Sequence, residues 1–250
     1  MFNNDFYDIE TEPIIDFKSL HTEQKHKVKK CLIIFSLEIV NYLLKNFTCE
    51  KIEEIYACNG NIPIYVLEYK GEKIAFYLTG VGSAVASSIC YEVHLLTGAT
   101  DFVMFGSCGS LNNEKTKGKF IVPTESYRGD GCSYYYAPAS DYIKIKNSDR
   151  LASVFEKNKV PFVQGKAWTT DSILRETKGL AAKRVSEGCI AVEMELAGVQ
   201  ALCDFYGLQL FDFLEAGDVL SESEYKIDGL QKANHSCGKV LIALEVAVCL

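Results

Sequence analysis

Apolar positions along the chain recur with two periods. Short runs rich in β-branched and aromatic residues predict strands over Cys31 to Phe35, Ile52 to Cys58, Ile62 to Tyr69, Glu72 to Leu78 and Asp101 to Phe105. Further strands are predicted over Lys119 to Pro123, Val160 to Trp168, Cys189 to Val192 and Leu208 to Leu214. Helical spacing predicts helices over Leu37 to Asn46, Ala84 to Leu96, Ser148 to Lys157, Arg175 to Glu187 and Leu196 to Tyr206, with one long amphipathic helix over Asp228 to Leu250. Ser36 is placed to cap the first helix, and Gly207 suits a helix C-terminus. Asn59-Gly60-Asn61 and Lys70-Gly71 supply turns, so the three strands between Ile52 and Leu78 read as antiparallel. Elsewhere strand and helix alternate, which predicts parallel pairing. The expected fold class is therefore α/β, three-layer, with a central mixed twisted β-sheet flanked by helices.

Composition narrows this. A chain of 250 residues at 48% hydrophobic can bury a large core, and no linker-like stretch divides it. Residues 31–250 read as a single domain. Residues 1–30 have little periodicity and read as an extension packed on the body or on a partner subunit. Their basic patch, Lys25 to Lys30, reads as a solvated face. The net charge of −7 argues against nucleic acid, which needs a basic footprint. Ten cysteines are scattered without a Cys-x-x-Cys pair, and no His stands at metal spacing, so no metal is expected. No leader and no bilayer-length apolar run is recognised. Buried thiols in a cytoplasmic protein that binds no membrane are the expectation.

Candidate chemistry concentrates between Gly188 and Asp218. Glu193 and Glu195 sit where a strand ends and a helix begins, and Asp218 sits just past the predicted end of the next strand. In α/β folds ligands bind outside the carboxyl ends of strands. The helix dipole alone also favours acids in a first turn, so position by itself leaves both readings open. Thr79-Gly80-Val81-Gly82-Ser83 joins a strand to a helix, where backbone amides can face an anion or simply make the turn. Gly106-Ser107-Cys108-Gly109 places a hydroxyl between glycines in a similar turn. The segment Ser126 to Pro138 is dense in glycine and tyrosine, as ligand-facing loops often are. Its Arg128 either supplies a positive charge or pairs with Asp130.

The order Val192-Glu193-Met194-Glu195, helix, strand, Asp218 resembles the nucleoside phosphorylase family, which includes methylthioadenosine nucleosidases. The resemblance runs from about Cys31 to Leu250. It extends to the Thr79–Ser83 turn, the Gly106–Gly109 turn, the Arg128-Gly-Asp-Gly-Cys-Ser133 segment and the loop holding Trp168-Thr-Thr-Asp171 and Arg175-Glu-Thr177. It implies that Asp218 protonates a purine base, that Glu193, Met194 and Glu195 hold the ribose, and that Ser107 binds phosphate or the catalytic water. It further implies Gly82, Arg128 and Arg175 as phosphate or water contacts, and Thr170 and Asp171 near the base. Asp171 can equally cap the following helix. No cofactor beyond inorganic phosphate as co-substrate is implied, and the partners are a nucleoside and further copies of the chain, as dimer or hexamer.

Three departures bear on the attacking group. Phe35-Ser-Leu-Glu-Ile39 stands where the family carries Gly-Asp-Pro-x-Arg, Met104 stands at a frequent arginine position, and no arginine occurs between Met1 and Ser126. Phosphorolysis of a purine nucleoside is the first reading. Hydrolysis by water, a non-catalytic nucleoside-binding role and uridine phosphorolysis are the alternatives.

Overall fold

A computed structural model describes residues 7–15, 28–220, 225–227 and 229–250. Its first strands are β1 (Lys30–Ile34), β2 (Cys49–Ile55), β3 (Ile62–Tyr69), β4 (Glu72–Leu78), β5 (Asp101–Ser110) and β6 (Phe120–Gly129). They continue with β7 (Tyr142–Lys144), β8 (Phe162–Thr170), β9 (Cys189–Glu193), β10 (Gln209–Leu220) and β11 (Tyr225–Lys226). The helices are α1 (Leu37–Asn46), α2 (Ser83–Thr97), α3 (Asn113–Thr116), α4 (Ser148–Lys157), α5 (Lys178–Ser186), α6 (Leu196–Phe205), α7 (Leu230–Asn234) and α8 (Cys237–Val248).

β1 is buried along its whole length because it pairs on both edges, parallel to β4 and to β5. A strand covered on both faces reads as a continuous apolar run, as Cys31-Leu-Ile-Ile34 does. The antiparallel hairpins β2–β3 and β3–β4 form one wing of the sheet. At the other end β5 pairs β10, β10 pairs β6, β6 pairs β8, β8 pairs β9, and β9 returns to β5. Those five strands close on themselves, so the sheet curls into a small barrel whose rim carries the turns discussed below. The sheet is mixed and flanked by helices on both faces, as its patterning predicts.

Two apolar layers hold it. On one side α2 and α6 pack Ala86, Cys90, Val93, Val199 and Leu202 onto Ile33, Phe102 and Met104. On the other, α1, α4 and α8 pack Ile39, Leu43, Phe155, Val240 and Leu244 onto Leu32, Phe105 and Phe213. Each such side chain contributes about 1.5–3 kcal/mol relative to exposure, so the sheet is anchored from both faces. Gly198 lets α6 approach α2: a Cβ there would meet Ser83 Cβ at 2.7 Å.

Several expectations are corrected. The C-terminal segment is not one helix. Two helices meet at His235-Ser236, where Ser236 is extended rather than helical (φ −66°, ψ 105°). Asp218 lies inside β10, beside a bulge between Ala216 and Asp218, not past the strand's end. The helix after β8 begins at Lys178 and is capped by Thr177, whose hydroxyl accepts from the Leu180 amide, so Asp171 caps nothing there. At the end of the basic patch Lys30 is buried and pairs with Glu72 at 3.2 Å, and Lys29 pairs with Asp101 at 3.0 Å. Residues 25–27 of that patch lie outside the described residues, as do 1–6 and 16–24 of the extension. Tyr7 stacks on Tyr134, ring centroids 5.5 Å apart.

Candidate active site

One cavity of about 310 Å³ opens at the rim of the curled end of the sheet, a size suited to a small ligand. Its walls come from the end of β5 (Gly106 to Gly109), the β9–α6 junction (Glu193 to Glu195), the outer part of β10 (Asp212, Leu214, Asp218), and the α7–α8 corner. Val81, Ile173 and Phe35 form apolar borders. Gly106–Gly109, expected as a turn after the strand, is the extended end of β5 itself, and position 109 has to stay small. A Cβ at Gly109 would meet Leu220 Cδ1 at 2.4 Å and would lie 3.5 Å from the Asp218 carboxylate.

The paired glutamates are held by different devices. Glu193 ends β9, and its carboxylate accepts the Glu195 and Leu196 amides at 2.6 and 2.7 Å, the first free amides of α6. The Thr169 hydroxyl on β8 also donates to it. Glu195 stands at the N-cap of α6 and reaches across to α2, where the Gly82 amide donates to Oε1 at 2.6 Å. Ser83 donates its hydroxyl to the Met194 carbonyl at 3.1 Å, which ties the same two helix starts together. Gly82 can offer that amide because it sits at φ +105°, where a side chain would be strained.

Burial pushes the Glu193 carboxyl up to about 8, with repulsion from Glu195 adding and its hydrogen bonds opposing. Burial likewise raises Glu195 to about 7 against its hydrogen bonds to Gly82 and Met194. Asp218 is raised by burial, while a hydrogen bond from the Tyr225 hydroxyl pulls the other way. Glu176, at the close of the turn after β8, is raised to about 7 by burial and by the nearby Asp218 charge. Asp212 is raised well above its ordinary value by burial, then by Glu193 and Glu195, and neither of its oxygens has a partner. The cavity thus gathers carboxyl groups poised to hold a proton near neutrality, the property a general acid needs.

Of the sequence candidates, Glu193, Met194, Glu195, Ser107 and Asp218 line this cavity. Gly82 borders it only through its bond to Glu195; its amide already has that acceptor. Arg128 does not reach it. Its guanidinium is 2% exposed and donates to Ser133 Oγ at 2.9 Å, the Ala137 carbonyl at 3.1 Å, the Pro138 carbonyl at 2.5 Å and Ser140 Oγ at 3.1 Å, and it lies 4.0 Å from the Tyr134 ring centroid. Nor does it pair directly with Asp130, because Ser133 stands between them and donates its hydroxyl to Asp130 at 2.8 Å. Arg128 is a staple for its own loop. Arg175 is exposed in a short 3₁₀ turn and does not line the cavity, although its neighbours Ile173 and Glu176 do. Thr170 is buried and accepts the Ser172 amide, and Asp171 is exposed and accepts the Gly131 amide at 2.9 Å, so both fasten loops outside the cavity.

The cavity also holds residues that sequence patterning did not single out: Glu176, Asp212, Asn234, His235 and Lys239. Glu176 was within reach of a closer reading, since it adjoins Arg175 in the loop already flagged. Asn234, His235 and Lys239 fall in a polar break of the C-terminal helical pattern, and only the corner formed there brings them to the cavity. Among the described residues, no group of three or more His, Cys, Asp or Glu is arranged to hold a metal ion, and no helix is long and apolar enough to cross a membrane.

Comparison with known proteins places this geometry in context. Residues 31–244 match the Phosphorylase superfamily. The chain is 25% identical over 216 residues to a protein of Alkaliphilus metalliredigens named purine nucleoside phosphorylase DeoD-type, covering 84% of this chain and 88% of that one. It is 27% identical over 187 residues to the protein of the same name from Caldanaerobacter subterraneus, covering 72% and 78%. A third relative of that name, from Hahella chejuensis, is 25% identical over 187 residues, covering 74% and 79%. With its matched span running from the first strand of the sheet almost to the end of the last helix, the chain belongs to the phosphorylase superfamily.

Proposed function

We propose that this enzyme cleaves the N-glycosidic bond of a purine nucleoside by phosphorolysis, yielding free base and ribose 1-phosphate. The observation that carries the proposal is the convergence of a burial-raised Asp218 with Glu193, Met194 and Glu195 on one cavity. As the C1′–N9 bond breaks, its electron pair passes to the base and positive charge grows on the sugar. Asp218 gives its proton to N7 of the departing purine. The second oxygen of Glu195 accepts from ribose hydroxyls, Glu193 supports the same edge of the sugar, and Met194 packs beneath it. A phosphate oxygen bonds to C1′. The bordering Val81 and Ile173 limit water, which strengthens each of these interactions. Homo-oligomeric assembly and a cytoplasmic setting belong to the same proposal. A uracil would have no use for an acid at 218, which sets uridine aside.

The test is incubation with inosine, adenosine and methylthioadenosine, with and without phosphate, following base and sugar products. Phosphate-dependent release of ribose 1-phosphate is expected. Equal turnover to free ribose without phosphate would remove phosphorolysis. Hydrolysis is the second reading, favoured by one observation: five carboxyl groups line the cavity, Glu176, Glu193, Glu195, Asp212 and Asp218. No cleavage by wild type, with nucleoside bound equally by the Asp218→Asn protein, would leave only a binding role.

A further inference from the structure

The end of the cavity made by the α7–α8 corner has no part in holding sugar or base as described above. Ser107 donates its hydroxyl to Asn234 Oδ1, which leaves the Asn234 amide NH₂ as a donor. His235 Nδ1 lies 2.7 Å from Ser36 Oγ. Lys239, one helical turn further on, is 1% exposed, yet it lines the cavity. Among the described residues lining it, Lys239 is the one lysine or arginine.

That ammonium is under-matched. It has three donors, donates to the Ala233 carbonyl, and lies 3.8 Å from Glu215 Oε2, too far for a hydrogen bond. Glu215 Oε2 has no hydrogen-bond partner of its own. A buried charge left in this state is costly unless another group of opposite sign arrives. Glu215 sits in register opposite Ser107, so Lys239 reaches down to the level of Ser107. With the Ser107 proton given to Asn234 Oδ1, the Asn234 NH₂, the imidazole of His235 and the Lys239 ammonium are the donors that gather at one end. The adjoining start of α8, at Cys237, adds the favourable potential of a helix N-terminus. This donor set suits a tetrahedral oxyanion.

We propose that Lys239, with Ser107, Asn234 and His235, forms an anion subsite that seats the attacking phosphate, in place of the arginines absent from Met104 and the β1–α1 turn. The identity of the anion rests on the phosphorolysis reading; the charge and the donors do not. The cavity carboxyls do not forbid it, because burial raises each of them toward the neutral form. Burial also lowers Lys239 to about 8, opposed by Glu215 on β10 and Cys108 on β5. His235 stands at this corner too, with Glu38 Oε1 of α1 3.8 Å from its Nε2 and Cys237 beside it at the start of α8.

Two measurements test the subsite. In steady-state assays Lys239→Met is expected to raise the phosphate KM by roughly tenfold or more while the nucleoside KM moves less than about twofold. In calorimetry on the intact wild-type protein, sulfate is the probe, since its charge is constant over the pH range used. Its affinity is expected to fall by about tenfold per pH unit above the lysine's pKa, between pH 7.5 and 9.5. An unchanged phosphate KM in folded Lys239→Met, or no pH-sensitive sulfate binding, overturns the subsite. Should Lys239→Met fail to fold, Lys239→Arg, whose charge does not titrate in this range, decides: its sulfate affinity should fall less steeply with pH than wild type, and an unchanged slope overturns the subsite. Sulfate binding with that pH dependence in a protein that cleaves no nucleoside supports the subsite and removes the enzymatic reading. Cleavage to free ribose with no sulfate bound does the reverse.

Discussion

Replacing Asp218 by Asn tests it as the proposed proton donor. The amide has the shape of the carboxyl, and its oxygen can still accept from the Tyr225 hydroxyl that now bonds Asp218. What it lacks is an acidic proton. Positioned general acids contribute about 10²–10⁴ in rate. That corresponds to roughly 3–5 kcal/mol of barrier. Asp218→Asn should therefore lower kcat for inosine by two to four orders of magnitude, on the order given by that general-acid contribution, with the nucleoside KM within about threefold. Stability should not suffer. Burial already holds the carboxyl toward its neutral form, so a neutral isostere changes little, and calorimetry should find Tm nearly unchanged. A second substrate sharpens the assay. The 4-nitrophenolate of 4-nitrophenyl riboside leaves without protonation, so on that compound the variant should approach wild-type turnover. A kcat for inosine within tenfold of wild type, or equal losses on both substrates, would refute the assignment of Asp218 as the acid.

Other outcomes follow from the same geometry. Arg128→Met should cost about 3 kcal/mol of stability, because hydrogen bonds to a buried charge contribute about 1.5–3 kcal/mol each, while both substrate KM values stay unchanged; an unaltered Tm with a raised phosphate KM would return Arg128 to the site. Gly82→Ala meets no neighbouring atom, so its cost is backbone strain at φ +105°, about 1–3 kcal/mol, and it should raise the nucleoside KM by displacing Glu195; melting and steady-state kinetics read the two effects separately. Glu193 has a folded pKa of about 8 against an ordinary 4.5, so its contribution to stability is full below 4.5 and is lost as pH rises through 8. A plot of Tm against pH should therefore fall less steeply between pH 5 and 8 in Glu193→Gln than in wild type, and parallel curves would show that Glu193 is ionised in the fold.

Local pattern carried the strands and most helices because each element is set by its own apolar face. α4 spans Ser148–Lys157 as its periodicity predicts, and the Ser36 cap is formed through the Ile39 amide. The acids of the β9–α6 junction were legible for the same reason: a strand end, a helix start and two carboxylates are neighbours in sequence. What failed was long-range. In the C-terminal segment the polar stretch Asn234-His-Ser236 and Gly238 do interrupt the apolar period, yet only the folded chain shows that the corner there brings Asn234, His235 and Lys239 to the cavity. Arg128 failed in the opposite direction. A lone arginine in a glycine-rich loop looks like a ligand contact until the loop's own carbonyls are seen to take its donors.

Asp212 shows why such misreadings cluster at the site. It interrupts the apolar run Leu210-Phe-Asp-Phe-Leu214, sharing one strand face with Leu210 and Leu214, although a lone acid is ordinarily a solvated residue. In the fold Asp212 belongs to the cavity wall, 1% exposed and near enough to Glu193 and Glu195 for their charge to raise it. A buried carboxyl without a partner lowers stability, and replacement by an apolar residue would be the easy remedy. Instead it stays within electrostatic reach of Glu193 and Glu195, and once one of these acids has ionised its charge opposes the loss of a proton from Asp212. The closure of strands that sets β9 and β10 both against β5 is what concentrates the proton-holding groups around the proposed sugar site.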